Sequence, residues 1–143
     1  MNVKSIRNLV AFALADRANV SAQYIFSKLP RSQAQRIEKL IGVDLTGAPR
    51  LIDTSGIRHA LRKHGNAVTE ARRGNIAINT YDFEKIPSVL ANPDEVKYGG
   101  KNSLNQDVFV FEKRIDNLYF VVEAIRFSKS GNKLVMQTLY KKK

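Results

Sequence analysis

The chain has 143 residues, of which 43% are hydrophobic and 26% charged, enough apolar side chain for one compact domain and too much for a wholly disordered one. Twenty-four Lys and Arg stand against thirteen Asp and Glu, a net charge of +11, which concentrates polyanions at the surface and points to RNA, DNA or an anionic membrane. The absence of cysteine excludes a disulfide framework, Cys-containing zinc sites and thiol catalysis, and the two histidines lack any H-E-x-x-H spacing, so no metal and no other cofactor is expected.

In chain order, Ile6, Leu9, Val10, Ala13 and Leu14 recur at helical spacing and predict a first helix over residues 3–15. Its apolar run, residues 9–15, lies at the lower limit for a signal-peptide core and is too short to span a bilayer. A second short helical piece is expected over residues 22–28, before Pro30, and a third helix over residues 33–41, stopped at Gly42. Residues 43–51 contain Gly47 and Pro49 and are expected as a loop. A boundary placed there divides residues 1–45, a helical segment with a possible role in entry or docking, from a main domain at 46–143.

Asp53, Thr54 and Ser55 supply N-cap candidates for a helix running to His64, with Gly65 as its stop. A basic, polar stretch through Arg72 and Arg73 follows, and Thr80 is a candidate cap for a helix carrying Tyr81 to Leu90, with Pro87 inside it. Thereafter β-branched and aromatic residues dominate residues 108–111, 119–127 and 134–140, with a further strand at 95–98. Asp116-Asn117 and Ser130-Gly131-Asn132 read as hairpin turns between them. The expected class is α+β, with N-terminal helices followed by an antiparallel sheet of about four strands.

The segment from Ser55 to Gly65 carries the chemistry. On a helix, Ile57, Leu61 and His64 share an apolar face, while His59 aligns with Lys63, with Arg58 and Arg62 nearby. Two imidazoles among cations suit phosphodiester cleavage by the 2′-hydroxyl of RNA: one takes the 2′-OH proton, the other protonates the leaving oxygen, and Arg or Lys stabilises the phosphate. The same residues are also compatible with a packed His64 and an exposed His59. On the last strand, Thr138 and Tyr140 are expected on one face together with Leu134 and Met136, placing two hydroxyls opposite the histidine helix. Glu123, inside an apolar strand, needs a partner such as Arg126 or a helix cation. Lys141 to Lys143 are expected as a solvated tail, and Tyr81, Tyr98, Tyr119 and Phe109 as either core or stacking groups.

Ile57-Arg58-His59-x-x-x-Lys63-His64-Gly65, followed by Ile86-Pro87, Asn92-Pro93-Asp94 and Gln137-Thr138-Leu139-Tyr140, resembles the phage- and toxin-associated branch of the barnase–EndoU–colicin–RelE superfamily of ribonucleases over residues 51–140. The resemblance implies a fold of helices followed by a four-stranded antiparallel sheet, and metal-independent RNA cleavage leaving a cyclic phosphate and a 5′-hydroxyl. It maps catalytic roles onto His59, His64, Thr138 and Tyr140, and phosphate binding onto Arg62 or Lys63, with Arg58 beside them. It further implies a toxin acting on tRNA in the bacterial cytoplasm, delivered as the C-terminal part of a larger protein and matched by an acidic immunity protein. The alternatives are a non-catalytic RNA- or DNA-binding module and a phage-associated structural domain of the same fold.

Overall fold

The computed structural model describes residues 1–15 and 21–143. Helix α1 (Ile6–Leu14) starts where the Ser5 hydroxyl accepts from the Asn8 amide, and it buries the predicted Ile6, Leu9, Val10 and Ala13 stripe. Strand β1 (Gln23–Lys28) follows, where a short helix was expected. Tyr24, Ile25 and Phe26 are strand formers, and antiparallel pairing with β2 (Pro49–Asp53) fixes them. Helix α2 (Arg31–Ile41) lies between these strands and ends at Gly42, whose φ of 75° is a left-handed cap that glycine adopts without strain. The expected loop at 43–51 therefore gives way to β2 in its last residues.

Helix α3 (Thr54–His64) begins as predicted, with the Asp53 carboxylate accepting from the Gly56 amide. A short helix that the sequence pattern does not predict, α4 (Ala67–Arg72), is capped by Asn66. Asn79, rather than Thr80, caps a 3-10 turn at Thr80–Lys85, and α5 (Ile86–Ala91) follows with Pro87 in its first turn, where a missing amide costs no helical bond. The four remaining strands are β3 (Glu95–Lys101), β4 (Asp107–Ile115), β5 (Asn117–Arg126) and β6 (Lys133–Lys142).

The sheet has six strands in the order β1-β2-β6-β5-β4-β3. The four antiparallel strands expected from the sequence are its C-terminal part, extended by β1 and β2. One junction is parallel, β2 against β6, held by Arg50 opposite Leu134 and Leu51 opposite Val135. Residues 1–45 are not set apart: Ile6, Leu9, Ala34 and Ile37 join Ile57, Phe83, Phe109 and Val121 in one buried cluster. Nor are they all helical, since β1 extends the common sheet.

A bulge in β6 determines what its two faces present. Thr138 pairs with Val122, but Met136 pairs with Glu123, so Gln137 is the extra residue. The alternation therefore changes parity at Gln137. Leu134 and Met136 before it and Leu139 after it belong to the buried cluster, whereas Thr138 and Tyr140, opposite Val122 and Phe120, turn to the other face. The expected common face of Leu134, Met136, Thr138 and Tyr140 is corrected by that one residue.

Helix α3 runs beside β6 past the short β2 junction. A Cβ built on Gly56 would stand 2.7 Å from the Met136 carbonyl oxygen, and at the other end His64 stacks on Tyr140 with ring centroids 5.2 Å apart. Close approach of helix and strand thus requires glycine at position 56.

Two ionic groups lie on the covered side of the sheet. Glu123 pairs with Arg50 at 3.0 Å, not with Arg126, and both side chains are only 1% exposed. Arg50 also donates to the Leu90 carbonyl and lies over the Phe111 ring, so the pair ties β2, β5 and α5 together. Burial pushes the Glu123 carboxyl up and Arg50 opposes it. Lys141, expected in a solvated tail, is buried and bonds the Asp82 carboxylate, which also accepts from the Tyr119 hydroxyl at 2.7 Å. That cluster holds the 3-10 turn to β5 and β6.

Candidate nuclease site

The histidine helix, the bulged strand, the end of β3 and the residues that follow α4 border an open cleft of about 520 Å³. His59, Lys63 and His64 line it from α3, Thr138 and Tyr140 from β6, and Arg73, Lys101 and Lys142 add charge. None of its lining residues is Asp or Glu. The geometry therefore brings together the two histidines, Lys63, Thr138 and Tyr140, and gives them a surround suited to a phosphate.

His64 is nearly buried, and its Nδ1 lies 2.9 Å from Oε2 of Glu70, a side chain with no solvent exposure. Asn75 Nδ2 donates to the same oxygen at 3.0 Å and Arg73 Nη1 to the other at 2.7 Å. Burial works against the Glu70 carboxylate, but the bonds from His64, Asn75 and Arg73 prevail and hold its pKa below the ordinary value. An ionised carboxylate accepts only, so Nδ1 carries the hydrogen and Nε2 is the nitrogen left to exchange a proton. The dyad is braced further by Arg73 donating to the Lys63 carbonyl and by the Ile78 amide donating to that of His64.

His59 is half-buried on the neighbouring side of α3 and 3.5 Å from Nη2 of Arg62. Partial burial, followed by the cations Lys63 and Arg62 and by His64, holds its pKa below 6.5. It is accordingly neutral at physiological pH. Tyr140 lies between two rings, His64 on one side and Phe120 on the other at 4.6 Å and 5°. Its hydroxyl pKa is raised, mostly by burial and then by Glu112, with Lys97 opposing, so it remains a donor. Thr138 Oγ1 is buried without a hydrogen-bond partner, and an oxygen of a bound ligand would relieve that cost.

Arg58 departs from expectation. Its Nε donates to the Ala13 carbonyl at 2.9 Å, tying α3 to α1, and it does not line the cleft. Arg62 reaches a second depression beyond His59 rather than the cleft itself. Glu70, Arg73 and Asn75 were missed from the sequence; the only local signal was Asn66, a good N-cap ahead of Val68 and Thr69, marking the helix that carries Glu70. Among the described residues no group of three or more His, Asp or Glu side chains is arranged to hold a metal ion, and no helix is long and apolar enough to cross a membrane.

Residues 28–143 match the family model described as phage-Barnase-EndoU-ColicinE5/D-RelE like nuclease 3. The chain belongs to this nuclease family. No curated protein and no solved structure matches it. The match begins at the end of β1 and takes in every residue that lines the cleft. As a family nuclease the chain has a nucleic acid as its substrate, in keeping with a net charge of +11.

Proposed function

We propose that the chain is an endoribonuclease that works without a metal, by attack of the RNA 2′-hydroxyl on the adjacent phosphate. The supporting observation is the pair of differently held imidazoles on one acid-free, cationic cleft. Neutral His59 removes the 2′-OH proton. The 2′-oxygen forms its bond to phosphorus as the bond from phosphorus to the 5′-oxygen breaks, and His64, entering the step as the imidazolium with Nδ1–H held by Glu70, delivers its Nε2 proton to that leaving oxygen. The products are a 2′,3′-cyclic phosphate and a 5′-hydroxyl. Lys63 and the Thr138 and Tyr140 hydroxyls face the phosphate oxygens as charge develops, and Glu70 keeps the His64 ring in register.

Within this reading the substrate is tRNA in a bacterial cytoplasm and the partner an acidic immunity protein; the resemblance to toxin-associated nucleases and the charge of +11 support both. Incubation of the protein with total tRNA in EDTA tests the chemistry. Cleavage with cyclic-phosphate ends is expected, and loss of about a hundredfold or more in rate for His59→Ala and His64→Ala. Intact RNA, or variants that cut as well as the parent, would sink the proposal. Binding without cutting would mark a non-catalytic module.

A further inference from the structure

The cleft does not end at His59. A second depression of about 260 Å³ continues beyond it, and the two share His59, Asn102 and Gln137. Their charge differs. The lining of the first has no carboxylate: Arg73 and Lys101 pair with Glu70 and Asp107 behind it, and Lys63 and Lys142 face the cleft with no ion pair among the described residues. The second, in contrast, sets Arg62 and Arg126 against Asp53 in its own lining. The Asp53 carboxylate already caps the Gly56 amide at 2.8 Å and lies 3.6 Å from Arg126. A phosphate is therefore better placed in the first cleft, and an uncharged ring in the second. Leu104, 71% exposed at the rim, offers such a ring an apolar surface.

The orientation of the Gln137 amide follows from its neighbours. Asn102 Oδ1 accepts from the Leu104 and Gln106 backbone amides, each at 3.0 Å. Its Nδ2 must then be the atom that donates, to Gln106 Oε1 at 2.9 Å and to Gln137 Oε1 at 3.0 Å. With Oε1 taken, Gln137 presents its Nε2 hydrogens to a ligand. Gln137 reaches this position because it is the bulged residue of β6.

We propose that the second cleft binds the base of the nucleotide 5′ to the scissile phosphate and that Gln137 favours the keto bases, guanine and uracil, over adenine and cytosine. This rests on the ribonuclease reading above. The attacking 2′-hydroxyl belongs to that nucleotide, and His59 lies between the two clefts. With the ribose beside His59 and the phosphate in the cationic cleft, the base falls into the second. There O6 of guanine or O4 of uracil accepts from Nε2, while at the same ring positions N6 of adenine or N4 of cytosine brings a donor to a donor.

Cut sites are mapped on one single-stranded RNA carrying every dinucleotide step, with wild type, Gln137→Glu and Gln137→Met. The wild type is expected to cut after guanine and uracil about tenfold faster than after adenine and cytosine, in line with one hydrogen-bonded base contact. Gln137→Glu, which keeps an oxygen for Asn102 but replaces the donor with an acceptor, should reverse that order. Gln137→Met, which removes the donor without adding charge, should level it, and this comparison still tests the subsite if Gln137→Glu fails to fold. Even cutting after all four bases by the wild type, or variants slowed by the same factor at every step, would overturn the subsite and leave the nuclease standing. Total tRNA is included as a control: no cutting of either RNA by the wild type would remove the nuclease reading itself, whereas cutting of tRNA alone would show that selection rests on RNA structure and would overturn the subsite.

Discussion

His59 and His64 share one helix, yet their surroundings differ in the way that the proposed base and acid roles require. Burial and the cations Lys63 and Arg62 keep His59 neutral, whereas His64 is clamped at Nδ1 by a buried carboxylate. If His59 is the base, activity is lost as pH falls through its depressed pKa, so the acidic limb of the kcat/KM profile lies below pH 6.5. Lys63→Gln removes one of the depressing charges and should shift that limb upward, besides lowering the rate; an unmoved limb in a measured pH–rate profile would contradict the assignment. Glu70→Gln should slow cleavage about a hundredfold and lower the melting temperature. The sign of its pH dependence follows from a folded pKa held below the ordinary 4.5. The carboxylate contributes stability above that value and loses it as pH falls through the folded pKa. The gap in melting temperature between wild type and variant should then be widest near neutrality and close on acidification, which thermal melts across pH will check. At this scale the histidines were legible because imidazoles near lysines and arginines announce phosphate chemistry. Glu70 was not, because its burial comes from the fold around α4 and nothing local marks it.

Among the elements, α3 was the most readable, since Asp53 and Gly65 bound it and Ile57, Ala60 and His64 form its buried side. The hairpin strands β3 to β6 were readable for a related reason: their partners are neighbours in sequence. Strands β1 and β2 were not, because β1 pairs across an intervening helix and β2 meets β6 from the far end of the chain. The bulge at Gln137 was equally hidden, although it decides which β6 side chains enter the cleft. Because α3 and β6 each carry half of the site, their separation matters more than their individual stability. Gly56→Ala tests this: a Cβ 2.7 Å from the Met136 carbonyl oxygen must push helix from strand, since backbone cannot swing aside. A loss of about 1–3 kcal/mol is expected from such overpacking, together with a fall in RNA cleavage larger than the stability loss explains at a temperature where the variant remains folded. Full activity in a folded Gly56→Ala protein would show that the spacing is not critical.

At the scale of the whole molecule, the family match begins at Lys28, but the hydrophobic core does not. Leu9 is fully buried, Ile6, Val10 and Ala13 nearly so, and all four belong to the cluster that contains Ile57 and Ala60 of the histidine helix. Arg58 donates to the Ala13 carbonyl, and the Val3 amide donates to Gln23 within a bridge that extends the β1 edge. Removal of residues 1–27 would thus expose one side of α3 and strip β2 of its outer partner. Burying a single Leu, Ile or Val is worth about 1.5–3 kcal/mol, and a domain of this size has only about 5–15 kcal/mol in hand. The shortened chain 28–143 is therefore expected to lose its cooperative thermal transition and, with it, RNA cleavage. Circular dichroism melts of the full and shortened chains decide the matter. A shortened chain that melts cooperatively and cuts RNA at the parental rate would return residues 1–27 to the role of a separable extension; a molten or aggregated one would make them part of the nuclease's structural core, whose α1 face holds α3 against the sheet.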